Sequence, residues 1–79
     1  MGKALIMPLT VADGISLSYA REFAKANGNR RVTPYEATKV LYGRRNKRKE
    51  GEALRVLWAC VSFDMATYDS HAKEFIVYG

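Results

Sequence analysis

The segment Thr33-Pro34-Tyr35-Glu36 constrains the fold more than any other. A threonine three residues ahead of a glutamate forms a capping box, in which each side chain satisfies a backbone N–H that the first helical turn leaves unpaired. Proline suits one helical position, the first, and Pro34 occupies it. The pattern predicts a helix from Pro34 to about Tyr42, where Gly43 ends it. Ala37, Val40 and Leu41 would face inward. Two to three turns do not hold alone in water, so the remaining chain must supply the surface they pack on.

A second helix is predicted over about 13–27. Ala12, Ile15, Tyr19, Phe23 and Ala26 recur every three or four residues and so share one face. Asp13 or Thr10 would cap its start, and Asn27-Gly28 supplies a left-handed stop. A third is predicted over about 49–67. Strand alternation fails there, whereas Leu54, Leu57, Trp58, Val61 and Met65 form one helical stripe with Trp58 and Phe63 in the core. A buried strand over 53–66 is the competing expectation, given the β-branched and aromatic residues. Ala4-Leu5-Ile6-Met7 and Phe75-Ile76-Val77-Tyr78 are short apolar ends. The expected fold is thus mainly α: a three-helix domain with short extended or β termini that pair or lie over the helices.

The chain has 79 residues, enough for one small domain. A domain this size buries only about 60% of its unfolded surface. That leaves room for a homodimer, with Phe75, Ile76, Val77 and Tyr78 as the first candidate surface. One cysteine allows no internal disulfide and no cysteine-based zinc site, and one histidine leaves metal and proton-relay chemistry short of parts. No cofactor or metal is expected. No apolar run approaches the roughly 20 residues of a membrane helix, so no membrane partner is expected. The first residues lack the pattern of a signal peptide, and Ile6 stands where a myristoylation motif wants Ser or Thr. An unpaired Cys60 suits a reducing interior, so the expected location is cytoplasmic.

Charge is concentrated. Between Arg30 and Arg55 nine basic residues face three acids, while the remaining chain sums to −1. At the centre, Gly43-Arg44-Arg45-Asn46-Lys47-Arg48-Lys49 holds five cations in seven residues. Such a segment repels itself and faces either solvent or a polyanion. Arg30, Arg31, Lys39, Arg44, Arg45, Lys47, Arg48 and Lys49 are therefore the candidate binding residues, for phosphates of nucleic acid or for an acidic protein surface. About six to nine residues, rich in charge, join the second and third helices in chain order. A DNA-reading helix-turn-helix has a turn of three or four, so the sequence matches that motif poorly. Tyr35 and Tyr42 flank these cations and are the candidates for stacking on a base, against the commoner role of a core edge with a wet hydroxyl.

Catalysis is not expected. Asp69, Ser70 and His71 are adjacent in the chain, which builds no triad, and Ser70 suits the cap of a short turn. Cys60 lies in an apolar helix, where a thiol is inert. Two function classes fit these bounds. One is a small basic nucleic-acid-binding protein using the 44–49 loop. The other is a small protein-binding modulator, such as a bacteriophage-encoded inhibitor of a host complex.

Overall fold

The computed structural model describes residues 15–78. Its elements are α1 (Leu17–Asn27), β1 (Arg31–Val32), α2 (Pro34–Tyr42), a 3-10 turn (Lys47–Lys49), α3 (Glu50–Ser62), β2 (Ala66–Asp69) and β3 (Glu74–Val77). The chain is mainly helical as expected, but a three-stranded antiparallel sheet forms a real part of it.

The capping box closes. Thr33 Oγ1 accepts from the Glu36 N–H at 3.2 Å, and Glu36 Oε1 accepts from the Thr33 N–H at 3.1 Å. Gly43 ends α2 at φ 86, a left-handed conformation that glycine takes without strain. At α1 the stop is also as expected, with Gly28 at φ 70, but the start is later. Ser16 is the cap, accepting from the Tyr19 N–H at 3.1 Å, so Ile15 and Ser16 precede the helix. Thr10, Ala12 and Asp13 lie outside the described residues. The buried face of α1 is Ala20, Phe23, Ala24 and Asn27, while Ala26 is exposed.

The third predicted helix is a helix and not a buried strand, but it is shorter and turned. It stops at Ser62 rather than Thr67. The Asp64 N–H donates to the Val61 carbonyl at 3.1 Å and the Met65 N–H to the Cys60 carbonyl at 2.8 Å. With Asp64 at φ 61, this is the Schellman closure that usually carries glycine. Ala66 and Thr67, expected in the helix, begin β2 instead.

The buried side of α3 is Ala53, Val56, Leu57 and Cys60, one residue earlier than the predicted stripe. One residue is about 100° around the helix, so Trp58 and Leu54 turn outward, at 43% and 37% exposure. The reason is space. Ala53 and Cys60 are small enough to sit fully buried in the crowded interior, where the Cys60 thiol lies 3.7 Å from the Ala20 carbonyl of α1. Trp58 instead lies over the sheet against Tyr68 and Phe75, and Phe63 is also exposed.

The C-terminal apolar segment is β3, the central strand. Its partners are β1 (Arg31 opposite Ile76, Val32 opposite Phe75) and β2 (Ala66 opposite Val77, Tyr68 opposite Phe75). Pairing with Ala4-Leu5-Ile6-Met7 lies outside the described residues. Alternation along β3 sends Phe75 and Val77 into the core with Phe23, Leu41, Val56 and Leu57. The β2–β3 turn is held by Asp69, not Ser70: Asp69 Oδ1 accepts from the N–H groups of His71 and Ala72.

Candidate nucleic-acid interface

Local structure shortens the link between α2 and α3. The 3-10 turn runs directly into α3, so only residues 43–46 separate the two helical stretches. Four residues beginning with glycine meet the length that the sequence count had denied.

Two polar side chains shape this turn. Thr38 is fully buried in α2; its hydroxyl donates to the Tyr35 carbonyl at 2.5 Å and accepts from the Asn46 N–H at 2.8 Å. Asn46 in turn caps the 3-10 turn, its Oδ1 accepting from the Arg48 N–H at 2.9 Å. A buried hydroxyl on the inner side of one helix thereby fixes the backbone from which the cations project.

Arg44, Arg45, Lys47 and Arg48 are exposed and border one shallow surface depression together with Asn46. No ion pair holds any of these four among the described residues. Lys49 differs. Its Nζ lies 3.4 Å from Glu52 Oε2 and 5.7 Å from the Tyr42 ring centroid. The Tyr42 hydroxyl donates to Glu52 Oε1 at 2.6 Å, so it is not left to water. Burial and this carboxylate push the Tyr42 phenol well above its ordinary value, while the same hydrogen bond holds Glu52 below the usual carboxylate range. Tyr42 is thus a structural brace. Tyr35 is the more open ring, at 39% exposure, with Lys47 Nζ 6.0 Å from its centroid.

The other candidate cations divide. Arg30, Arg31, Lys39 and Arg45 border a cleft between α1, β1 and α2, and Arg45 joins this cleft to the turn. Arg31 is occupied: its guanidinium meets Asp69 at 2.8 Å and Glu74 at 3.4 Å on the sheet. The guanidinium also holds the Asp69 carboxyl below its ordinary range. Of the eight candidate residues, Arg30, Lys39, Arg44, Arg45, Lys47 and Arg48 form the available cationic surface, and Arg31 and Lys49 brace it.

A second surface escaped the sequence reading. Leu54 and Trp58, one turn apart on α3, are exposed, and the Trp58 ring lies 5.2 Å from exposed Tyr68 at the sheet's outer strand. Placing Trp58 in the core hid this patch. Among the described residues no helix is long and apolar enough to cross a membrane. Compared with known protein families, curated proteins and solved structures, the chain matches none.

Proposed function

We propose that the protein binds nucleic acid through a helix-turn-helix made of α2, residues 43–46 and the 3-10 turn with α3, with the β2–β3 hairpin beside it as a wing. The observation that carries the reading is the set of four exposed cations with no acid partner among the described residues, Arg44, Arg45, Lys47 and Arg48, on a turn pinned by buried Thr38. Rigid placement matters because a positioned cation releases counterions from phosphate without first being ordered. In this motif the residues leading into the second helix approach the duplex, and here they are basic. The face of α3 beyond them carries Leu54, Arg55 and Trp58 with little charge, so phosphate contact rather than base reading supplies most of the affinity.

Fluorescence anisotropy with labelled duplex DNA, single-stranded DNA and RNA at low and moderate salt tests this reading. Binding that weakens steeply with salt and differs little between sequences is expected. Absence of binding to all three at low salt contradicts it. Exposed Leu54, Trp58 and Tyr68 favour a second reading, in which an apolar protein surface docks on α3. In that case a partner is bound with little salt dependence, and Trp58→Ala weakens it.

A further inference from the structure

The cleft between α1, β1 and α2 has a volume of about 520 Å³, within the range of small-molecule sites. Unlike the turn it is concave and chemically two-sided. Ala26, Val32 and Val40 supply apolar wall, and Arg30, Lys39 and Arg45 supply positive charge. Among the described residues Glu36 is the one acid on its border, and its carboxylate is already committed to the Thr33 N–H.

Arg30 is held at its root. Its Nε donates to the Asn27 carbonyl at 2.9 Å, and Asn27 Nδ2 donates back to the Arg30 carbonyl at 3.2 Å. Asn27 is 2% exposed, so a buried residue holds both ends of Arg30: its side chain fixes the Arg30 backbone and its carbonyl fixes the guanidinium. Held in this way, the guanidinium keeps NH groups free for a bidentate contact with an oxyanion. Neither Arg30, Lys39 nor Arg45 has an acid partner among the described residues. Three such cations around one concavity repel each other until a multiply charged anion sits between them.

We infer that the cleft binds a nucleoside 5′-phosphate, with the phosphate on Arg30, Lys39 and Arg45 and the ring against Val40 and Ala26. The nucleotide is either free or the end of a single strand, since a base paired in a duplex cannot enter a pocket between two helices. The inference stands apart from the reading of the turn, and either can fail alone.

The test is a titration of the whole chain followed by amide NMR, with ATP, inorganic tripolyphosphate and 5′-phosphorylated oligo-dT as probes. ATP is expected to shift the amides of Val32, Lys39 and Val40. A Lys39→Gln/Arg45→Gln variant should weaken ATP roughly tenfold or more, and Arg44→Gln/Arg48→Gln should leave it within about twofold. Both variants are surface changes, and retained amide dispersion shows that they fold. Tripolyphosphate is expected to bind at least about tenfold more weakly than ATP, because it has no ring for the apolar wall. If oligo-dT displaces ATP from these amides, the cleft takes a strand end; if it does not, the cleft takes the free nucleotide. Unmoved cleft amides, or tripolyphosphate binding as tightly as ATP, would overturn the inference.

Discussion

Trp58 stands edge-on to Phe75, with ring centroids 5.0 Å apart and planes at 84°. The two are unequal partners. Phe75 is fully buried on the central strand, and Trp58 shields it from outside while remaining 43% exposed. Complete truncation of a buried aromatic costs about 3–5 kcal/mol. Phe75→Ala should therefore remove most of the stability of a domain this small. Trp58→Ala should cost roughly half as much, about 1.5–2.5 kcal/mol, from partial burial and the loss of two ring contacts. Urea denaturation of both variants checks the ranking, and equal losses would mean that Trp58 carries core weight its exposure denies.

Asp64→Gly should stabilise the protein. Asp64 closes α3 at φ 61, a left-handed conformation that costs an L-residue about 1–2 kcal/mol. Glycine adopts it freely but loses about 0.5–1 kcal/mol more backbone entropy on folding. The expected net gain is about 0.5–1 kcal/mol, seen as a raised melting temperature. An unchanged or lowered value would mean that the Asp64 side chain stabilises the helix end.

Asp64 also shows where the fold is legible in sequence and where it is not. The start and stop of α2 are written in local chemistry, by Thr33, Glu36, Pro34 and Gly43, and the structure follows them residue by residue. The end of α3 has no glycine, and its apolar periodicity runs on into a strand, so nothing local marks the stop. Which side of α3 is buried depends on how closely α1 approaches, a tertiary matter that favours small Cys60 over large Trp58. The basic turn is legible as charge. Its rigidity is not, because Thr38 reads as one polar residue in a helix until the turn folds back onto its hydroxyl.

Thr38→Val tests that rigidity. Valine keeps the shape but leaves the Asn46 N–H without its acceptor, at a cost of about 1–3 kcal/mol. Loosening the turn should also weaken nucleic-acid binding although no charge is removed. Hydrogen exchange at Asn46 together with anisotropy checks both effects. A destabilised variant with unaltered affinity would mean that the turn's order is irrelevant to binding.

Stability should fall on the alkaline side. Burial pushes the Cys60 thiol from 9.0 up to about 11, and it also raises the Tyr19 and Tyr42 phenols. The folded state then holds protons that the unfolded state releases, so the unfolding free energy declines as pH rises from about 9 to about 11. Cys60→Ala should flatten that part of the profile. Denaturant melts between pH 8 and pH 11 check it, and an identical slope in the variant would assign the decline to the tyrosines.

The most direct test of the proposed function is the slope of log K against log salt for duplex DNA. Arg44, Lys47 and Arg48 belong to the turn and not to the cleft, so replacing all three with glutamine isolates the turn. Three lost phosphate contacts, at about 0.9 each, should make the slope shallower by roughly 2.7 and weaken binding to all sequences alike, with the fold retained. A variant with the slope and affinity of the parent chain would contradict the assignment of the turn to nucleic acid.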